Sequence, residues 1–114
     1  MAESDSGQRA QLLGRVLNLV GLVDYQEAAI VSRTLVDKPA GTITLFAFDS
    51  GQALSEHTAP YDALAYLLEG EMEVTLAGAA HPLRAGEMVL MPANVPHALR
   101  ASERAKLLLV MVRG

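Results

Sequence analysis

The rhythm of apolar and polar positions changes near Ala29. Ahead of that point, "QLLGRVLNLVGLVDY" sets Leu12, Leu13, Val16, Leu17 and Val20 at helical spacing, but Gly14 and Gly21 interrupt the run. A short helix, or a strand with a helical turn, is the expectation there. Beyond Ala29 the period shortens to two. "AIVSRTLV" leads into "DKPAG", where Pro39 and Gly41 supply turn geometry, and "TITLFAFD" alternates Ile43, Leu45 and Ala47 against Thr42, Thr44, Phe46 and Phe48. Turn signals then recur as "DSGQ", as "EGE" closing a hairpin at Gly70, as "AGAA" before His81, as "RAGE" before Met88 and as "PANVP" before His97. Short strands punctuated this often, with no long helix between them, predict an all-β barrel or sandwich. No internal repeat or low-complexity stretch appears.

The last segment, "AKLLLVMVRG", is apolar at consecutive positions, so both of its faces need a cover. An N-terminal segment lying over it would serve, and so would a subunit interface. Both covers stay open at this stage. The second makes a homodimer the expected assembly.

Composition narrows the field. The 114 residues fit one domain and are 51% hydrophobic, enough to bury a core. We expect a flexible polar tail over residues 1–10 and a single barrel domain over 11–114. The start, "MAESDSGQRAQ", lacks the basic and apolar parts of a signal peptide, which makes a cytoplasmic location the expectation. The longest apolar run, Leu107 to Val112, falls far short of the roughly 20 residues that cross a bilayer. There is no cysteine, so disulfides, thiolate nucleophiles and cysteine metal sites are excluded together. A net charge of -4 with nine scattered basic residues argues against a nucleic-acid partner.

Two stretches carry a resemblance. Gly51, five residues, His57 and then Gly70 resemble the first motif of the cupin superfamily, and "GEMVLMPANVPHALRA", with Gly86, Pro92 and His97 in register, is similar to the second. The resemblance implies a double-stranded β-helix, the jelly-roll barrel of cupins. It also implies a ligand set of three histidines and a glutamate around a divalent Fe, Mn, Ni or Zn. Placed on this sequence, His57 and His97 are retained. Ala59 stands at the second histidine position, Ala63 at the glutamate position, Asn94 at a turn glycine and Ala101 at a terminal asparagine. Half of the implied ligand set is absent.

Strand parity puts His57 and Ala59 on the lumen side, with Ala63, Ala65 and Leu67 facing the same lumen from the next strand. The expected small-molecule pocket is therefore lined by His57, Ala59, Ala63, Ala65, Leu67, His97 and Ala101. If it holds a metal, His57 and His97 are the ligands, and two neutral nitrogens need a third donor. Asp62 could turn inward through a bulge after Pro60, or a ligand carboxylate could serve. Glu56 and Thr58 should point outward, the Met88 and Met91 thioethers suit only soft ions, and Tyr61 could lean over the mouth. His81 reads as a solvent-side turn residue, Tyr66 as outer-face packing and Met72 as filler. Asn94 tolerates the left-handed backbone that its glycine counterpart implies.

Three functions fit. The first is a metal-dependent cupin enzyme of dioxygenase or isomerase type. The second is a metal-free pocket in which the alanines open volume and the two histidines bond a ligand or move protons. The third is a non-enzymatic dimeric sensor or accessory protein. A purely structural role, each histidine bonded to backbone or to the other, stands beside them.

Overall fold

The alternation beyond Ala29 becomes strand after strand in the computed structural model, which describes residues 12–113. The expected tail over residues 1–10 lies outside the described residues. The strands are β1 (Ile30–Lys38), β2 (Gly41–Phe48), β3 (Ala53–His57), β4 (Asp62–Glu69), β5 (Glu71–Leu76), β6 (Ala79–Arg84), β7 (Met88–Met91), β8 (His97–Ala101) and β9 (Ala105–Val112). Ahead of them, the glycine-interrupted apolar run yields a short 3-10 helix, Leu19–Leu22, with Asn18 capping it through Val20 N–H.

Two antiparallel sheets form, in the orders β1-β2-β9-β4-β7 and β3-β8-β5-β6. Their inner faces close on one core that includes Phe48, Ala65, Leu67, Met72, Val74, Leu99, Ala101 and Leu107. Each of these is at most 2% exposed, so their side chains are removed from bulk solvent. The pattern of period two decides which residues enter it: on β4, Ala63, Ala65 and Leu67 are buried while Asp62 is exposed.

One expectation is corrected. "EGE" does not close a hairpin, because β4 belongs to the five-stranded sheet and β5 to the four-stranded one. Gly70, at φ +86, turns the chain from one sheet into the other, with the Arg104 carbonyl and the Ala105 backbone packed where a Cβ would sit. A side chain at this corner would displace the backbone that leads into β9. His81 is exposed as expected, yet it pairs with Val74 inside β6 rather than lying in a turn.

The apolar C-terminal segment becomes β9, held between β2 and β4 near the middle of its sheet. Its inner face enters the core through Ala105 and Leu107. Part of its outer face lies under the N-terminal segment: Val23, Leu22 and Tyr25 pack with Leu45, Ala47 and Leu108. Polar contacts fix that cover. Lys106 Nζ donates to the Val20 carbonyl at 2.7 Å, and Arg33 donates to the Leu22 carbonyl at 3.1 Å. Tyr25 donates to Glu69, and its ring lies 5.0 Å from the Lys106 ammonium and 5.2 Å from the Arg104 guanidinium. Burial, and then the Glu69 hydrogen bond, push the Tyr25 hydroxyl pKa above its ordinary value.

Candidate functional site

His57 and His97 end up face to face because of a register change. Leu54 pairs with Leu99 across β3 and β8, and the next pair is His57 with His97. Three steps on β3 oppose two on β8, which is one extra residue in β3. Without it, Glu56 would stand opposite His97. The bulge that matters thus lies before His57, and not after Pro60 as the Asp62 argument required.

The two rings meet edge to face, with centroids 4.3 Å apart and Nε2 atoms 3.1 Å apart. Each is oriented by the same local device, a contact from Nδ1 to the backbone carbonyl two residues upstream. His57 Nδ1 lies 2.9 Å from Ser55 O, and His97 Nδ1 lies 3.2 Å from Val95 O. A carbonyl only accepts, so each Nδ1 keeps its contact as a donor, and the two Nε2 atoms then face each other with room for one proton between them. Such an arrangement calls for a positive guest between them, either a proton or a metal ion. Burial, helped by the neighbouring His57, lowers the His97 pKa against the raising effect of the Val95 carbonyl, and His97 is therefore neutral at pH 7. His57 is exposed and His97 is 6% exposed, which places the pair at the rim of the barrel.

The turn into β8 is built for delivery. Asn94 takes φ +64, the left-handed geometry expected of it, and its N–H donates to the Ala59 carbonyl at 2.7 Å. Asp62 Oδ1 accepts from Ala93 N–H at 2.9 Å. That carboxylate is exposed and bound to the turn, so it supplies no third donor beside the histidines. Ala59 lies past the end of β3, since Pro60 stops the strand, and its backbone is what the turn uses.

The remaining expected pocket residues sit deeper. Ala63 is 5% exposed, and Ala65, Leu67 and Ala101 have no exposure; all four belong to the core. Glu56 and Thr58 are exposed, as is Met88, whereas Met91 is buried opposite Ala63. Tyr61 carries the Arg113 guanidinium 5.3 Å from its ring centroid.

Sequence reasoning missed Thr42. On the inner face, Thr42, Met111, Ala63 and Met91 form one cross-strand row, at the barrel end where the chain leaves β3 and enters β8. Thr42 is 9% exposed, and its hydroxyl is buried with no hydrogen-bond partner. A polar residue on the face that also carries Phe46 and Phe48 was the available signal. An open cleft of about 370 Å³ lies elsewhere, where β6 and β7 part, with His81 and Glu87 among its lining residues.

The donor chemistry can be tested against a metal. At bond lengths of about 2.0–2.1 Å, two nitrogens on neighbouring positions of one ion lie about 2.9–3.4 Å apart. The Nε2 separation falls in that range, so the pair fits two corners of a coordination sphere. No cluster of three or more His, Cys, Asp or Glu side chains suited to a metal occurs among the described residues. The pair would hold an ion, which would act as a Lewis acid, only with further donors from a bound molecule.

Two antiparallel sheets closed on one core, with one histidine brought to one end by β3 and the other by a turn of Pro-x-Asn type, define a small jelly-roll barrel. A profile of the cupin domain matches residues 44–112, and the chain belongs to the cupin family. Among solved structures it is similar to a conserved protein of unknown function from Streptococcus pyogenes, with 37% identity, 89% of each chain covered and a TM-score of 0.85. A cupin superfamily protein from Desulfitobacterium hafniense matches at 28% identity and TM-score 0.84, covering 89% of this chain and 93% of that one. A cupin 2 conserved barrel domain protein from Leptotrichia buccalis is 41% identical at TM-score 0.83, over 85% of this chain and 47% of that one. No curated protein matches. No helix among the described residues is long and apolar enough to cross a membrane.

Proposed function

We propose that the protein is a small-molecule-binding cupin whose working centre is the His57–His97 pair at the barrel rim. The observation that carries this reading is the pair of Nε2 atoms 3.1 Å apart, with each ring's Nδ1 against a backbone carbonyl. The centre takes one small positive guest. A proton shared between the rings would make the pair an acid/base group for a bound organic molecule. A divalent ion would bind weakly to two nitrogens alone and more tightly beneath a chelating ligand that fills its other positions. The orphan Thr42 hydroxyl offers a further polar anchor on the inner face at the same end of the barrel.

Nuclear magnetic resonance of ¹⁵N-histidine-labelled protein tests this. Both rings should appear as Nδ1–H tautomers, and added Zn²⁺ should move both Nε2 resonances together. In His57→Ala, a change at a largely exposed side chain, His97 should lose that response. Finding the proton on Nε2 of both neutral rings, or no Zn²⁺ response from the pair, sinks the proposal.

A further inference from the structure

The barrel is open along one seam. β6 ends the four-stranded sheet and β7 ends the five-stranded one, so the two strands follow each other in the chain without pairing. The cleft of about 370 Å³ lies between them. Its floor is aliphatic: Val74 and Leu83 are buried, and Val89 stands on the inner face opposite Ala65. His81 shares that inner face, since it pairs with buried Val74 as Leu83 pairs with buried Met72. An inward-facing imidazole that is exposed all the same marks the place where the sheets fail to close.

A free strand edge invites another strand, but β6 resists one. Arg84 N–H points away from β5, and Glu87 Oε1 accepts it at 2.9 Å. Pro82, two residues back, presents the same edge and has no N–H to offer. With those two donors removed the edge cannot carry a continuous ladder, which leaves the seam to a small molecule rather than a peptide. Its volume of about 370 Å³ lies at the low end of small-molecule sites, which begin near roughly 300 Å³.

The lining also sets the chemistry. Pro82 and Met88 extend the apolar wall, and a thioether packs well against an aromatic ring. Glu87 is the one carboxylate among the described residues that line the cleft, and neither lysine nor arginine joins it there. Its bond to Arg84 occupies Oε1 and leaves Oε2 to a guest. We propose that this seam is a second binding site, sharing no residue with the His57–His97 pair, for a small arylalkylamine. The ring lies on Leu83, Val89 and Met88, the ammonium meets Glu87, and His81 borders the entrance. An aromatic carboxylate of the same size would meet Glu87 with like charge, and the net charge of -4 disfavours it further.

Nuclear magnetic resonance titration of the full ¹⁵N-labelled chain tests this, with tryptamine as the amine and indole-3-acetate as the matched anion. Tryptamine should move the amide resonances of β6, Glu87 and β7 saturably, and indole-3-acetate should bind about tenfold more weakly or not at all. Glu87→Gln keeps an acceptor for Arg84 N–H, so it should melt like the parent, yet it should weaken tryptamine about tenfold by losing the charge. His57→Ala should leave tryptamine binding unchanged. The proposal is overturned by a seam that shows no saturable shift, by equal binding of the two indoles, or by shifts centred on His57 and His97. A folded Glu87→Gln variant that binds tryptamine as the parent does overturns it too, and if that variant fails to fold, the comparison of the two indoles decides alone.

Discussion

The turn from Pro92 to Pro96 and the inner row at Ala63 lie at the same end of the barrel, yet they kept different things. In the turn, the requirements are met by backbone and one carboxylate: Asn94 at φ +64, its N–H on the Ala59 carbonyl, and Ala93 N–H on Asp62 Oδ1. At the inner row, the cupin resemblance implies a carboxylate, and Ala63 packs against Met91 and Met111 instead. A turn that sets the path of the chain is needed whatever the pocket holds, because moving it would misplace His97 and everything after it. A ligand side chain is needed only by the ligand. Scaffold and chemistry are separable, and here they have separated.

Putting a carboxylate back should have the largest effect. Ala63→Glu forces an unpaired charge among Met91 and Met111 and should cost about 3 kcal/mol or more in urea unfolding. Combined with Ala59→His, it should recover much of that loss when Zn²⁺ or Ni²⁺ is added, while the parent gains little. If the double variant shows no metal-dependent stabilisation, the inner row does not face the guest that the histidines hold. The turn should respond less. Asn94→Val places a β-branched residue at a left-handed angle and should cost about 1–2 kcal/mol, whereas Asn94→Gly should be neutral or slightly stabilising. Equal melting temperatures for these two variants would remove backbone strain as the reason for asparagine.

The smallest effect is in pH. His97 has a lowered pKa in the folded barrel, so the unfolded chain takes up the proton first, at about 6.5. Stability from the neutral ring is whole above that value and is lost as pH falls through it toward the folded pKa. Burial is the larger cause and His57 the smaller, so the slope should persist in His57→Ala and vanish in His97→Leu. A slope abolished by His57→Ala would reverse that ranking.

Much of this was legible in the chain. Alternation in "TITLFAFD" and the turn residues around it pointed to an all-β fold, and the spacing of Gly51, His57, Gly86, Pro92 and His97 pointed to its family. The choice between hairpin and corner at Gly70 was not legible, because both need a glycine with positive φ and only the partner of β5 tells them apart. Nor was the bulge before His57, since Leu54–His57 reads as plain strand and the extra residue exists only relative to β8.

The sequence by itself determined where strands alternate, where the chain must turn and which two imidazoles survive, because propensity and period act between near neighbours. Only the tertiary structure decided that the Nε2 atoms meet 3.1 Å apart, that the Thr42 hydroxyl is stranded and that Met88, Leu90 and Val112 stand exposed. Those outcomes depend on register between strands distant in the chain. A one-residue shift there redirects every side chain while leaving each local pattern unchanged.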